Sequence, residues 1–363
     1  MKLFARLFSA IAVAAVLAPQ GALADSIDPI TFGAELEAGE SVTIRKTVVV
    51  DEGTTSAVLD VMFLIDTSGS MGPHIANAKL AAGDILSGLA GFGNVATGTG
   101  YYSEPGSLGV YRDLTTDPTA GQQNINDIVL GLGGGGGDFP EEGINGTYEA
   151  ATGASWRPGS NRFIIALGDA TFKESDGVTT AMALAALADN NITFIGLDFG
   201  NLTYPFQGID PTILADATGG AIYTASTDPA TIVTAILDSI TASFLTYSTV
   251  GVSDLGGGLP GVAVSSVCVS ADTGACSGAT ATGSYDRSVA RTFEFDVTFT
   301  GLEEGTHVFD THGLVDGGIV ASERDTIIVG PGGPVVVAEP GTLLLLGAGL
   351  LGAGLIRRRR GQV

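Results

Sequence analysis

The segment Val58–Ile65 constrains the fold of this chain more than any other part of its sequence. Its residues are apolar except for Asp60, which is typical of a central strand buried on both faces of a parallel sheet. An amphipathic helical pattern follows from His74 to Leu89. Because further strands and helices alternate, residues 58–246 are predicted to form an α/β domain with a doubly wound, mostly parallel sheet. The further helices are predicted at 143–154, 177–189, 210–217 and 228–245, and the further strands at 162–167, 192–197 and 221–224.

The sequence on both sides of this domain favours β-structure. After about residue 246 the helical periodicity stops, and short apolar runs between glycine-rich turns predict a β-sandwich over 247–330. Residues 25–57 contain a similar run at Ser41–Val50. We therefore expect both flanks to build one sandwich into which the α/β domain is inserted. Residues 331–337 are predicted to be a linker.

The two ends of the chain have the pattern of targeting segments. In residues 1–24 a basic start precedes an apolar stretch, and the small residues Ala22 and Ala24 predict signal-peptide cleavage between Ala24 and Asp25. In residues 338–363, Glu339 and Pro340 precede a 14-residue apolar run. That run is shorter than the roughly 20 residues of a spanning helix. The basic residues after it favour a cytoplasmic end, and they are Arg357, Arg358, Arg359 and Arg360.

This C-terminal pattern resembles the PEP-CTERM sorting signal of Gram-negative bacteria, with Ala338 in place of the first proline. The resemblance implies that an exosortase recognises the segment and that its apolar helix lies transiently in the inner membrane. It also implies that the body of the protein is exported to the cell surface or released. A plain C-terminal membrane anchor is the alternative interpretation.

Composition excludes several classes of protein. A hydrophobic content of 45% supports a packed core and argues against a disordered acidic chain. The net charge of −23 repels nucleic acid and anionic lipid and favours divalent cations, although it also fits a role in solubility alone. The two cysteines, Cys268 and Cys276, predict a structural disulfide in an oxidising compartment, with free thiols as the alternative.

The loop after the predicted central strand has the chemistry of a cation site. Asp66, Ser68 and Ser70 alternate with Thr67 and Gly69, so a tight turn can direct one carboxylate and two hydroxyls at a common point. Open α/β sheets bind ligands at the carboxyl ends of their strands. Oxygen donors of this kind suit Mg²⁺, with Ca²⁺ or Mn²⁺ as alternatives.

Three segments resemble von Willebrand factor type A (VWA) domains, and in particular those of integrin β subunits. Asp66 to Met71 resembles the metal-ion-dependent adhesion site (MIDAS) of this family. The run Gly133–Gly143 resembles the Asp-x-Pro-Glu-Gly-Gly loop of integrin β subunits, and Phe163–Ala170 resembles their later strand. The resemblance spans about residues 58–245 and keeps the order of the family's motifs.

The resemblance implies a role for each of five residues. Ser68 and Ser70 would bind the metal through their hydroxyls, Glu141 would supply a carboxylate, and Asp66 and Asp169 would act directly or through water. An oxygen from a partner, typically a carboxylate, would complete the coordination. Two other interpretations stay open, namely a solvated loop acid for Glu141 and a helix N-cap for Asp169.

Two neighbouring cation sites of integrin β subunits are expected to differ here. One of them would use Asp138, the carbonyl near Pro140 and Glu141, and it is a possible second metal site. The other needs acidic residues where this chain has Pro73 and His74, so we expect it to be absent.

Together these features predict an exported, metal-dependent adhesion or matrix-binding protein whose partner is a protein or an extracellular-matrix ligand. The alternative is a structural protein of exopolysaccharide or biofilm whose metal only stabilises loops. An enzyme is not expected. The chain has no Gly-x-Ser-x-Gly elbow, and its three histidines, His74, His307 and His312, stand at no known catalytic spacing from Ser68 or Ser70.

Overall fold

The computed structural model describes residues 25–331, except for residues 54–56, 105–107, 136, 138 and 205–206. The predicted signal peptide, residues 332–337 of the predicted linker, the sorting segment 338–363 and Asp138 therefore lie outside the described residues. Among the described residues, no helix has the length and apolar composition that crossing a membrane requires.

The described chain starts with strands, then alternates strands and helices, and returns to strands after residue 245. The first part contains β1 (Ser26–Asp28), β2 (Thr31–Glu37) and β3 (Ser41–Val50). The alternating part contains β4 (Ala57–Asp66), α1 (Gly72–Leu89), β5 (Gly93–Tyr102), β6 (Leu108–Thr115), α2 (Pro118–Asp127), α3 (Gly143–Gly153), β7 (Asn161–Gly168), α4 (Thr180–Asp189), β8 (Ile192–Asp198), α5 (Thr212–Thr218), β9 (Ile222–Thr224) and α6 (Pro229–Phe244). The last part contains β10 (Thr246–Ser253), β11 (Val262–Ser270), β12 (Ala275–Ser277), β13 (Thr280–Asp286), β14 (Arg291–Gly301), β15 (Gly305–Val315) and β16 (Gly318–Gly330).

The alternating part forms a six-stranded sheet with the order β6-β5-β4-β7-β8-β9. All neighbouring strands are parallel except β5 and β6, which are antiparallel. This is the order of a doubly wound sheet, in which the first strand lies at the centre and the chain winds outward in both directions. The carboxyl ends of β4 and β7 therefore lie side by side, and residues that follow these two strands are brought together.

Strand β4 is apolar except for Asp60 and Asp66, because it is covered on both faces. Phe63 and Ile65 pack into the core on one side of the sheet, together with α1 and α6. Met62 and Leu64 pack into a second core on the other side, together with α3, α4 and α5. Side chains of a strand alternate between its two faces, so a strand buried on both faces needs apolar residues at nearly every position.

The acid in the middle of β4, Asp60, is fully compensated. Asp60 is buried, and its Oδ1 atom lies 2.5 Å from Nε of Arg157. Its Oδ2 atom accepts hydrogen bonds from the backbone N–H of Arg157 at 2.7 Å and from Oγ of Ser160 at 2.8 Å. A buried carboxylate persists only with such partners, so Asp60 belongs to the scaffold and lies apart from the loop after β4.

The two flanks of the α/β unit pair with each other in two further sheets. One sheet has the order β1-β3-β14-β11, and the other has the order β12-β13-β10-β15-β16-β2. Strand β3 pairs antiparallel with β14 over ten residues, and β2 pairs parallel with β16. The α/β unit is thus an insertion between β3 and β10. This confirms the fold class predicted from the sequence, a VWA-like doubly wound sheet with a β-sandwich on its flanks.

Two features fix the sandwich at its edges. A buried ion pair joins the N-terminal segment to the loop after β13, with Nη1 of Arg287 at 2.8 Å from Oδ1 of Asp25 and Nη2 at 2.9 Å from Oδ2. A disulfide joins Cys268 and Cys276, whose Cα atoms are 5.4 Å apart, and links β11 to β12. Both links tie short or terminal segments to the larger sheets.

The sandwich contacts the α/β unit at the end where β7 begins. The backbone N–H of Ile319, at the start of β16, donates to the carbonyl of Gly159 at 2.7 Å. Nδ2 of Asn191, just before β8, donates to the carbonyl of Asp316 at 3.0 Å. The amino ends of these parallel strands therefore face the sandwich, and their carboxyl ends point away from it.

Candidate metal centre

The loop between β4 and α1 is held in place by its neighbours at the carboxyl edge of the sheet. The backbone N–H of Thr67 donates to the carbonyl of Tyr102 at 3.0 Å, at the end of the adjacent strand β5. The Thr67 hydroxyl donates to the carbonyl of Leu132 at 2.7 Å, and the N–H of Gly131 donates to the Thr67 carbonyl at 2.9 Å. These bonds fix the loop that carries Ser68 and Ser70.

Asp66 is the most deeply buried residue of the candidate site. It has no exposed surface, and its Oδ1 atom accepts a hydrogen bond from the backbone N–H of Ser68 at 2.8 Å. Its Oδ2 atom is also buried and has no hydrogen-bond partner. Burial raises the pKa of Asp66 to about 7, against the effect of hydrogen bonds from Ser68 and from the backbone of Asp169, and the nearby charge of Asp169 raises it further. The site therefore contains a carboxylate oxygen that lacks compensation.

Three more of the predicted residues join Asp66 in one connected group. The Oγ atoms of Ser68 and Ser70 lie 3.3 Å apart. The Ser70 hydroxyl donates to Oδ1 of Asp169 at 2.9 Å. Asp169 follows β7, which neighbours β4 in the sheet. The order of the strands thus brings together residues that lie about a hundred positions apart in sequence.

Glu141 reaches the same edge through backbone pairing. Its N–H donates to the carbonyl of Thr171 at 3.0 Å, and its carbonyl accepts from the N–H of Lys173 at 2.8 Å. Glu141 and Glu142 are both buried. The next residue, Gly143, is packed so closely against Phe172 that a Cβ at this position would lie 2.2 Å from a ring atom. The segment that carries Glu141 therefore runs directly beside the segment that follows Asp169.

Tyr102 lies within reach of the charges of the candidate acids. Tyr102 is fully buried at the end of β5, and burial is the main reason why its pKa lies well above the usual value. The negative charges of Asp66, Asp169, Glu141 and Asp198 raise that pKa further. Three acids of the predicted site and one acid outside it therefore act on the same buried hydroxyl.

Other residues at this edge were not part of the predicted site. His74 lies near Asp169, and its ring centroid is 4.5 Å from that of Phe199. Burial lowers the pKa of His74, while the charge of Asp169 opposes that change. Lys173 forms an ion pair with Glu104, which follows β5. No strand was predicted directly before Glu104, so the sequence analysis did not point to it.

The possible second metal site stays a prediction. Pro140 immediately precedes Glu141 in the chain, and Asp138 lies outside the described residues. In the described part of the chain, no three His, Cys, Asp or Glu side chains are grouped so that they could hold a metal ion. A cation site here must therefore draw on the hydroxyls of Ser68 and Ser70 as well as on carboxylates.

The residues present fit a hard divalent cation. The uncompensated Oδ2 atom of Asp66 lies in a group whose other donors, from Ser68, Ser70 and Asp169, are all oxygens. Mg²⁺ and Ca²⁺ prefer oxygen ligands of this type, and a buried carboxylate is costly without a charge partner. The oxygen ligands of these residues and the unpartnered Oδ2 atom of Asp66 therefore both favour a hard divalent cation.

Comparisons with known proteins find similarity only to solved structures, and that similarity is weak. No family model and no curated protein sequence matches the chain. A solved structure described as von Willebrand factor type A from Catenulispora acidiphila is 14% identical, with a TM-score of 0.39, and the match covers 84% of this chain and 73% of that one. The pilus adhesin SpaC from Lactobacillus rhamnosus GG, in its open conformation, is also 14% identical with a TM-score of 0.39.

The SpaC match covers 80% of this chain but only 45% of the adhesin, so this chain spans less than half of that protein. An aerotolerance-related membrane protein from Bacteroides fragilis is 16% identical with a TM-score of 0.38. That match covers 50% of this chain and 98% of the other. Similarities this weak do not indicate a function, and the site must be judged on its own geometry.

Proposed function

We propose that this protein is an exported adhesion or matrix-binding protein that uses a divalent cation to capture an oxygen ligand of its partner. The observation that supports the proposal is the buried Oδ2 atom of Asp66, which has no hydrogen-bond partner, in a loop that also carries the linked hydroxyls of Ser68 and Ser70. A divalent cation would supply the positive charge that this carboxylate lacks.

Five residues would hold the cation, namely Asp66, Ser68, Ser70, Glu141 and Asp169. The bound ion would act as a Lewis acid that attracts an anionic oxygen from outside. Ser70 and Gly69 are exposed, whereas Asp66 and Ser68 are buried. A ligand would therefore approach from the side of Ser70, and the buried donors would hold the ion from below.

The position of the site in the molecule supports a role in binding. The site lies at the carboxyl ends of β4 and β7, and the sandwich contacts the opposite end of the α/β sheet through Gly159 and Asn191. The sandwich therefore leaves the approach to the site open. A protein that binds partners through this edge would present the edge outward, on a stalk formed by its β-sandwich.

The first experiment measures metal binding by isothermal titration calorimetry with Mg²⁺ alone. Wild-type protein should bind Mg²⁺, and Ser70→Ala should bind it more weakly because one hydroxyl ligand is lost. The matched control is Ser226→Ala, an exposed serine after β9 at the same edge of the sheet, which should bind as the wild type does. Equal binding by all three proteins would contradict the assignment of the site.

A second experiment separates adhesion from loop stabilisation. Immobilised protein is incubated with cell-envelope material in Mg²⁺ and then in EDTA, with Asp66→Ala in parallel. Retention that requires both Mg²⁺ and Asp66 supports adhesion. If Mg²⁺ raises the melting temperature but does not change the amount of envelope material retained, the metal only stabilises the loops and the alternative function is correct.

A further inference from the structure

A lysine and two carboxylates are buried together between the two sheets of the sandwich. Lys46 lies on β3, and Glu323 and Asp325 lie on β16 in the opposite sheet. All three side chains have no exposed surface. Nζ of Lys46 contacts Oε1 of Glu323 and lies 3.2 Å from Oδ1 of Asp325. The amine thus faces two acids at once.

The cluster occupies positions where the pattern of the strands calls for apolar residues. Val48 and Val50 share the inward face of β3 with Lys46, and Ile327 shares that of β16 with the two acids. In the fully ionised state these three groups would leave one negative charge without a partner in the core. Such a charge is costly, because an ion pair repays its desolvation only when its remaining lone pairs are also satisfied.

Hydrogen bonding does not satisfy Glu323. Neither carboxylate oxygen of Glu323 has a hydrogen-bond partner, so the contact with Lys46 is its compensation. Burial lowers the pKa of Lys46, which favours its neutral amine. Burial also raises the pKa of Asp325, but the hydrogen bonds from Thr311 and Lys46 and the charge of Lys46 oppose that change and favour the ionised carboxylate. Proton transfer from Lys46 to Glu323 would leave a free amine in contact with a carboxylic acid, away from water.

We propose that Nζ of Lys46 and Cδ of Glu323 join in an intramolecular amide bond, with Asp325 as the residue that moves the proton. The inference rests on the burial and contacts of these three residues. It does not depend on the metal site or on the proposed adhesion function.

The reaction needs no external reactant. The lone pair of the neutral Lys46 amine attacks Cδ of the protonated Glu323 carboxyl, and a C–N bond forms. Asp325 accepts one proton from the nitrogen and delivers it to the hydroxyl group on Cδ. The C–O bond then breaks and one water molecule leaves, so an amine and a carboxylic acid yield an amide and water without any redox change.

The contacts assign different roles to the two acids. Glu323 touches the amine and has no hydrogen bond that fixes it elsewhere. Oδ2 of Asp325 accepts a hydrogen bond from the Thr311 hydroxyl, and Oδ1 accepts one from Nζ of Lys46. The ring of Phe299 lies 5.1 Å from Nζ and helps to exclude water. Fixed reactants in close contact gain much of their rate from proximity alone.

The sequence of β16 provides a direct test, because Arg324 lies between the two acids. Trypsin cleaves after Arg324 and thus places Glu323 and Asp325 on different peptides. The exported, disulfide-reduced protein is digested and its peptides are analysed by tandem mass spectrometry. We expect no cleavage after Lys46, and the peptide that carries it should be joined to the peptide that ends at Arg324. The joined mass should be lower by one water than the sum of the two peptides.

Variants test the role of Asp325 and keep the proposal open to refutation. Asp325→Asn retains the shape of the side chain but cannot carry the proton, so the two peptides should remain separate. Lys173→Arg is the matched control, since Lys173 also contacts a carboxylate, that of Glu104, but is partly exposed. It should leave the cross-link intact.

Three outcomes would overturn the inference. If trypsin cleaves normally after Lys46 in the wild-type protein, no amide bond has formed and the cluster is an ion pair. A cross-link to the peptide that begins at Asp325 would overturn the choice of Glu323. A cross-link at wild-type yield in Asp325→Asn would overturn the role of the second acid.

Discussion

Replacing Asp66 by asparagine should stabilise the metal-free protein at alkaline pH. The Asn side chain keeps an oxygen that can accept the Ser68 N–H bond, but it carries no charge. In the wild type, burial raises the pKa of Asp66 from 3.8 to about 7. An acid whose pKa is raised on folding destabilises the native state as pH rises through that range, because the folded protein then binds more protons than the unfolded chain.

The magnitude follows from the two pKa values. One pKa unit corresponds to about 1.4 kcal/mol, so the full cost of ionising Asp66 is roughly 4 kcal/mol above pH 7. At pH 5 most of the folded protein still holds the proton, and the cost is about 1.6 kcal/mol. The difference in unfolding free energy between Asp66→Asn and the wild type should therefore increase by roughly 2.5 kcal/mol from pH 5 to pH 8.

The assay is urea unfolding in EDTA, followed by the fluorescence of Trp156. This is the sole tryptophan of the chain, and it packs against the core of the α/β unit. At pH 8, Mg²⁺ at a hundred times its dissociation constant should restore about 2.7 kcal/mol to the wild type and nothing to Asp66→Asn. If the difference between the two proteins is the same at pH 5 and pH 8, Asp66 does not carry a desolvated charge and the reasoning fails.

Two further substitutions test other parts of the structure. Gly143→Ala should destabilise the α/β unit by about 1–3 kcal/mol, because its methyl group would collide with a phenyl ring, and Mg²⁺ affinity should fall with it. Gly91→Ala, where a Cβ meets no atom within 4 Å, should change neither quantity in the same calorimetric measurement. Asp25→Ala should cost the sandwich about 3–5 kcal/mol, because its buried arginine partner is left without a counter-charge. Asp296→Ala removes an exposed partner of Arg45 and should cost no more than about 1 kcal/mol when urea unfolding is followed by circular dichroism.

The α/β part of the fold could be predicted from local patterns. The apolar run in β4 reflects burial on both faces, and the helix predicted at 143–154 agrees with α3 at Gly143–Gly153. Helix α2 was missed because its residues are mostly polar. Its start nevertheless carries a recognisable signal, since Asp117 caps the helix and Pro118 occupies the first position.

The sandwich was harder to predict because its strands contain charged residues at inward positions. The sequence predicts a strand only at 326–329, whereas β16 spans Gly318–Gly330. Glu323 and Asp325 interrupt the expected apolar alternation, and Lys46 does so in β3. A charged residue in an otherwise apolar inward register was the available signal for the buried cluster. The three charged residues meet only because β3 and β16 face each other from opposite sheets, and no local sequence pattern predicts that packing.

The candidate site shows the same limit. Asp66, Ser68 and Ser70 share one loop, so their proximity follows from their spacing. The approach of Asp169 depends on β7 lying next to β4, which the strand order of a doubly wound sheet implies. The position of Glu141 depends on backbone pairing with Thr171 and Lys173, and spacing along the sequence gives no indication of that contact.

The insertion of the α/β unit between β3 and β10 imposes an order on folding. Arg45 of β3 pairs with Asp296 of β14, and 251 positions separate these residues. Strand pairing over such a separation is slow to form, whereas the parallel strands of the α/β unit find their neighbours sooner. In a chain that emerges from its N-terminus, β1 can pair with β3 early, but β2 and the second edge of β3 stay unpaired until the last strands arrive. During that interval the open edge of β3 is vulnerable to aggregation, and we expect its exposed polar residues Thr43 and Arg45 to reduce that risk.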